Sequence, residues 1–180
     1  DRTAGPLSAA DGSPMEQGLG SGAFAEKVVV EPSQIARLPD DIALDVASTL
    51  ACGVVTGIGA VVNTAGLRPG QSCVVIGAGG VGLNAIQGAR LAGARRIVAV
   101  DMSEAKLEIA REFGATDGVL AGDDKPWRAA KGIIGGGADA VFVTVGAIPA
   151  YDTAMRYLAP HGKLVMVGMP LASTTRSPPI

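Results

Sequence analysis

Residues Gly77-Ala78-Gly79-Gly80-Val81-Gly82 set three glycines at the spacing G-x-G-x-x-G, and Asp101 follows nineteen residues after the last of them. Glycines so spaced let a chain turn sharply and bring bare backbone close to an anion. The context sharpens that chemistry. Cys73-Val74-Val75-Ile76 before the turn reads as a buried strand, Val81 to Ala92 after it as a helix, and Ile97-Val98-Ala99-Val100 as a second strand ending at the acid. Strand, glycine turn, helix, strand and carboxylate together form a dinucleotide-binding fingerprint. Gly77 serves the tight turn, Gly79 leaves room for a pyrophosphate, and Gly82 lets the helix lie close on the sheet. The helix N-terminus offers N–H groups and partial positive charge to the phosphates. Asp101 can accept hydrogen bonds from both ribose hydroxyls.

The elements that must hold these residues alternate. Glu104 to Phe113 reads as a helix with Lys106 and Arg111 on its polar side and Ser103 as its N-cap, although Asp101 could fill a capping role itself. Gly118 to Leu120 is a short third strand, Lys125 to Ile133 a helix, Ala140 to Val145 a fourth strand, Tyr151 to Leu158 a helix and Lys163 to Val167 a fifth strand. Near-continuous apolar strands alternating with helices predict an α/β fold, a doubly wound parallel (Rossmann) sheet covered on both faces. Upstream, Asp1 to Gly22 reads as loop or disorder. Ala23 to Val30 reads as a strand stopped by Pro32, and Ile35 to Pro39 as a short extended piece. Asp45 to Asn63 reads as two helical stretches interrupted around Cys52-Gly53. Trp127 and Tyr151 read as packing residues, Cys73 as core, and Asp123-Asp124 as a solvated loop pair.

Composition removes several classes of partner. The net charge is −2 and only six of 180 residues are aromatic. This gives no electrostatic case for nucleic acid or an anionic membrane, and no set of base-stacking rings. No uninterrupted apolar run reaches the roughly 18–20 residues of a membrane span, because Gly57 and Gly59 break Val54 to Val62. Two cysteines, Cys52 and Cys73, make no disulfide framework, and the expected setting is reducing and cytoplasmic.

Three motifs occur in order: Cys52-Gly53-Val54-Val55-Thr56-Gly57, Leu67-Arg68-Pro69-Gly70, and the glycine turn. With Gly22-Ala23-Phe24-Ala25-Glu26 ahead of Val28-Val29-Val30, the stretch from Gly18 to Pro170 resembles the zinc-containing alcohol dehydrogenases of the medium-chain dehydrogenase/reductase family, and among them the class III, glutathione-dependent formaldehyde dehydrogenase type. The resemblance implies transfer of hydride between NAD and an alcohol or aldehyde, zinc as Lewis acid in the complete enzyme, a small-molecule substrate, and a homo-oligomer. It implies that Cys52 is a zinc ligand and that Thr56 stands near the nicotinamide. Gly77, Gly79, Gly80, Val81 and Gly82 would form the pyrophosphate loop, and Asp101 with Lys106 would hold the adenine ribose. Thr144-Val145-Gly146 and Val167-Gly168-Met169 would be the strand ends lining the cofactor cleft. On this basis residues 1–70 are a remnant of a catalytic (GroES-like) domain with interdomain helices, and residues 71–180 an NAD-binding domain lacking its last strand.

Departures from the family pattern are as informative. A cysteine ligand near the N-terminus, a Gly-His-Glu segment and a four-cysteine zinc lobe have no counterpart, and the sole histidine, His161, falls in Ala159-Pro160-His161-Gly162, read as a surface turn. A catalytic zinc takes three protein ligands and an open position, so one cysteine does not suffice. The chain therefore reads as a piece of a larger enzyme, inactive alone. Two rival readings stay open: a zinc-free quinone or enoyl reductase of the same family, against which Asp101 and Cys52 argue, and a non-catalytic nucleotide-binding module.

Overall fold

Strand β1 (Ser72–Ile76) is the central strand of the sheet, and its sequence explains why. All five of its residues are buried, and the pleat sends alternate side chains to opposite faces. Cys73 and Val75 enter one core with Ile86, Ala89 and Phe142, while Val74 and Ile76 enter a second with Val98, Val141 and Tyr157. A sheet with two apolar faces must be covered on both sides. Each buried Val or Ile contributes about 1.5–3 kcal/mol to holding those covers in place. In this computed structural model the described residues are 8–15, 22 and 25–170.

Around β1 the chain lays down helix α3 (Gly80–Leu91), β2 (Arg96–Asp101), α4 (Glu104–Glu112), β3 (Asp117–Leu120), α5 (Pro126–Ile134), β4 (Ala138–Val143), α6 (Ile148–Ala154) and β5 (Leu158–Met166). The strand order is β3-β2-β1-β4-β5, all parallel. The predicted α/β doubly wound sheet is thus the observed one. Winding reverses at β1: β2 pairs on one side and β4 on the other, which opens a crevice at their carboxyl ends.

Several expected boundaries move. The fourth strand ends at Val143, and Thr144 and Val145 lie beyond it. The sixth helix starts at Ile148, with Pro149 in its first turn, where proline's fixed φ suits a helix and its missing N–H costs nothing. The fifth strand begins at Leu158, and the expected turn around His161 is a bulge inside it: Leu158 pairs with Ala138 and Lys163 with Ala140. His161 is exposed there at φ +66°. Cys73 is core as expected, and burial, aided by Asp139, pushes its thiol up to about 12.

Upstream of the sheet, the two predicted helical stretches are one helix, Leu44–Ala65. It comprises α1 (Leu44–Ala47), a π-helical stretch (Leu50–Val54), α2 (Val55–Gly59) and a second π-helical stretch (Ala60–Ala65), ended by Gly66 at φ +61°. The helix is not interrupted at Cys52-Gly53. Gly57 is a packing position rather than a breaker: a Cβ there would lie 2.6 Å from Asn84 Cβ, so the glycine lets α2 rest on α3. At 22 residues this helix is long and apolar enough to cross a membrane by length and composition, contrary to the expectation that glycines break the run. Its packing along α3 makes it a helix of the α/β unit.

The chain divides into two units between Ala43 and Leu44, so the helix groups with the sheet. In the first unit, Asp11 accepts the Ser13 N–H at 2.9 Å and its hydroxyl at 2.6 Å in a tight turn. A 3₁₀ turn spans Pro32–Gln34. The predicted strand from Ala23 does not form over residues 25–30, where Val29 is 96% exposed. A strand needs a neighbour to take its backbone groups, and residues 25–30 pair with no strand among the described residues. Ala23, Phe24 and residues 18–21 of the resembling stretch lie outside the described residues.

Candidate dinucleotide-binding site

The site grows from the turn between β1 and α3. Gly77 takes φ +101°, a conformation that suits glycine, and a Cβ on it would crowd Thr144 Oγ1 at 2.8 Å. At Gly82 a Cβ would run into the Gly77 carbonyl oxygen. These two glycines are fixed by the fold itself. Gly79 and Gly80 differ: a Cβ at either would meet nothing within 4 Å. Their open side is space a ligand can occupy against bare backbone. Gly79 is the N-cap of α3 and no side chain caps the helix, so its first N–H groups and the positive end of its dipole face that space. Val81, half-buried, begins the helix beside Gly80.

Asp101, the last residue of β2, stands across from the turn. One carboxylate oxygen accepts the Ala78 N–H at 2.8 Å and the other the Ser103 N–H at 3.1 Å. The carboxylate therefore ties the glycine turn to the start of α4. Ser103 occupies the expected N-cap position, but its side chain makes no capping bond. Asp101 takes a capping-like bond and retains lone pairs toward the cleft.

That cleft, about 400 Å³, lies at the carboxyl ends of β1, β2 and β4. Gly77, Asp101, Lys106 and Val145 line it as the sequence led one to expect, joined by Met102 and Tyr157. Neither of the last two was singled out in the sequence. Tyr157 follows α6 in a 3₁₀ turn, 2% exposed, and burial pushes its phenol up to about 12. Other depressions lie elsewhere. One of about 420 Å³ is bordered by Arg90 and Phe113, and one of about 310 Å³ by Arg68, Asp139 and Lys163. Neither touches the glycine turn.

The remaining site residues sit outside the cleft lining. Thr144 directs its hydroxyl to the Ile76 and Gly77 carbonyls. Val167, Gly168 and Met169 follow β5, and the Val167 and Gly168 N–H groups donate to Val143 O at 2.9 Å. The close approach there forbids side chains, since a Cβ at Gly146 would fall 2.6 Å from Met169 O. Tyr151, expected to be packing alone, also donates its hydroxyl to the Gly168 carbonyl. Trp127 packs in the second core with the Arg156 guanidinium 4.6 Å above its ring. Cys52 and Thr56, four residues apart on the long helix, are both exposed. Among the described residues no group of three or more His, Cys, Asp or Glu side chains could hold a metal ion. The donors present thus fit a dinucleotide, whose cradle is open backbone, and do not by themselves fit a zinc ion.

A parallel doubly wound sheet with an open glycine turn and an acid at the next strand end defines a dinucleotide-binding α/β domain. The chain belongs to the zinc-binding dehydrogenases, whose family profile matches residues 80–179. It is 37% identical over 162 residues to alcohol dehydrogenase 1 of Trifolium repens, covering 88% of this chain and 43% of the relative. It is 44% identical over 117 residues to an S-(hydroxymethyl)glutathione dehydrogenase of Escherichia coli, covering 64% and 32%. The fold matches the crystal structure of an alcohol dehydrogenase zinc-binding domain protein from Burkholderia ambifaria with TM-score 0.85 at 31% identity, over 94% of this chain and 46% of that one. Benzyl alcohol dehydrogenase from Acinetobacter calcoaceticus matches with TM-score 0.74 at 34% identity, over 78% and 39%. The chain spans less than half the length of these relatives.

Proposed function

We propose that this chain is the coenzyme-binding portion of a zinc-type, NAD-dependent alcohol dehydrogenase. In the longer protein, hydride leaves an alcohol carbon for NAD⁺, and the alcohol proton is released as the aldehyde or ketone forms. One observation carries the proposal: the Asp101 carboxylate stands beside an open glycine turn at the crevice where the sheet's winding reverses. There it can take the ribose hydroxyls while the Gly79–Gly80 backbone and the α3 N-terminus take the pyrophosphate. Lys106 and Val145 border the adenosine half, and Gly146 and Val167–Met169 the nicotinamide half. In the complete enzyme Cys52 would supply one ligand to a zinc, the group that would act there as Lewis acid, with Thr56 four residues on in the same helix. The 44% identity to an S-(hydroxymethyl)glutathione dehydrogenase supports a class III type, with a thiol adduct as substrate. We assign a cytoplasmic homo-oligomer; two free cysteines are in keeping with a reducing setting.

The test is a titration of the full-length protein with NAD⁺ and NADP⁺, followed by alcohol-dependent NADH formation with and without a zinc chelator. NAD⁺ preference with chelator-sensitive turnover is the expected result. NADPH-dependent, chelator-insensitive reduction of a quinone or enoyl compound would move the protein to the zinc-free branch. Binding without turnover on any alcohol would leave a nucleotide-binding module.

A further inference from the structure

Beyond β4 two neighbouring side chains point to different tasks. Val145 lines the cleft. The Thr144 hydroxyl lies 2.9 Å from the Gly77 carbonyl oxygen and 3.0 Å from that of Ile76. The Thr144 N–H also donates to Ile76 O at 2.9 Å. A threonine hydroxyl has one proton to give, so it is shared between two carbonyls at the point where β1 becomes the glycine turn. The same oxygen would lie 3.0 Å from a Cβ on Gly82 and 2.8 Å from one on Gly77. Thr144 thus fills the angle between the end of β1 and the first turn of α3.

We propose that Thr144 is a positioning residue for the glycine turn, acting through the Gly77 carbonyl and not through a bond from its hydroxyl to the dinucleotide. Glycine is the least restrained residue in a chain. The Gly77 carbonyl shares its peptide plane with the Ala78 N–H, which donates to Asp101 at 2.8 Å, so the Thr144 hydroxyl holds from the other side the plane that leads into Gly79–Gly80. A donor that holds this carbonyl keeps the Gly79–Gly80 stretch open before any ligand arrives, and a site ordered in advance binds more tightly because less ordering remains to be done. Valine at the same place keeps the shape but sets a methyl against two carbonyl oxygens and leaves the Gly77 carbonyl without this donor. The inference rests on the dinucleotide reading above.

The experiment uses the full-length protein with NAD⁺, ADP and adenosine as probes, their affinities read by ligand-observed saturation-transfer competition and calorimetry. Thr144→Val should weaken NAD⁺ and ADP by roughly tenfold, the scale of one lost hydrogen bond, and adenosine, which has no phosphate, by less than about twofold. Thr144→Ser, which keeps the donor, should restore all three. Thr144→Cys, a weak donor, should fall between them, and it decides the matter if the valine variant does not fold. Unchanged NAD⁺ affinity in Thr144→Val, equal weakening of adenosine and ADP, or a serine variant as poor as valine would each overturn the role of Thr144 alone. A wild-type protein that binds neither NAD⁺ nor NADP⁺ would overturn the dinucleotide reading and this inference with it.

Discussion

Replacing Asp101 by asparagine should collapse the discrimination between NAD⁺ and NADP⁺. The carboxylate is pinned by the Ala78 and Ser103 N–H groups at 2.8 and 3.1 Å, so it cannot swing away from a ligand at the ribose. NADP⁺ would bring a 2′-phosphate to within about 4 Å of it. At that separation two unit charges repel by about 1 kcal/mol in bulk water and about 4 kcal/mol at an effective dielectric of 20. Asp101 is half-buried at the cleft edge, which sets the repulsion near the middle of that range, about 2 kcal/mol. Lys106 lines the same cleft but is exposed, and it offsets only part. The full-length protein should therefore bind NADP⁺ at least about tenfold more weakly than NAD⁺. Asp101→Asn removes the charge and leaves its amide nitrogen facing one of the two N–H donors. NAD⁺ should weaken by several-fold while NADP⁺ gains, bringing the ratio near one. Calorimetric titrations at 0.1 M and 1 M salt would check this, since the Debye length shrinks from about 10 Å to about 3 Å and the wild-type gap should narrow. Equal wild-type affinities, or a gap that neither salt nor asparagine alters, would refute the role given to Asp101.

On the proposed function, Cys52→Ala in the full-length protein should abolish alcohol turnover while NAD⁺ affinity stays within about twofold, because the exposed Cys52 lies outside the cleft and a catalytic zinc would lose one of three protein ligands; retained turnover would favour the zinc-free branch. Gly82→Val should cost several-fold or more in NAD⁺ affinity and lower the melting temperature, since its Cβ runs into the Gly77 carbonyl; a melt and titration equal to wild type would contradict the packing. Alkali should destabilise the fold through Cys73, because its thiol ionises near 9.0 when unfolded and near 12 when folded. Below about pH 9 both states keep the proton, and above it only the folded state does, so stability falls from pH 9 toward 12. Denaturant midpoints measured over that range should fall less steeply in Cys73→Val. Met166, 64% exposed on β5, the outermost strand on its side of the sheet among the described residues, is the position where Met166→Lys should reduce any edge-to-edge association of the 180-residue chain, as sedimentation at several concentrations would show.

Most of the sheet is legible in the sequence because its signals are local. Val74-Val75-Ile76 and Val98-Ala99-Val100 are too short and too apolar to be anything but strands buried on both faces. What failed were signals that take their meaning from a partner. Val28-Val29-Val30 has the composition of a strand and none of its structure, since β-propensity expresses packing against neighbours and Val29 has its surface open to solvent. Gly53 and Gly57 look like helix breakers in one dimension. In three, Gly57 is where α2 touches α3. The histidine turn failed for a related reason, because a bulge is defined by the strand beside it, here Ala138–Ala140 of β4.

The site divides along the same line. Gly77, Gly79, Gly82 and Asp101 were readable because their chemistry requires fixed residue types at fixed spacing, and that spacing survives in one dimension. Thr144-Val145-Gly146 was readable as a strand end, but the division of labour inside it was not. Successive side chains beyond a strand alternate in direction, so of two adjacent residues one faces the ligand and the next faces the protein. Which is which depends on where β4 stops, and the sequence set that end two residues late, at Val145 instead of Val143. Thr144, expected to line the cleft, accordingly turns its hydroxyl to the Gly77 carbonyl. Tyr151 is the mirror case, a side chain read as filler that reaches the Gly168 carbonyl just past the neighbouring strand β5. Polar side chains near a glycine turn in a sheet of this kind are thus to be assigned by first asking which carbonyls the turn leaves without donors, and only then what the ligand needs.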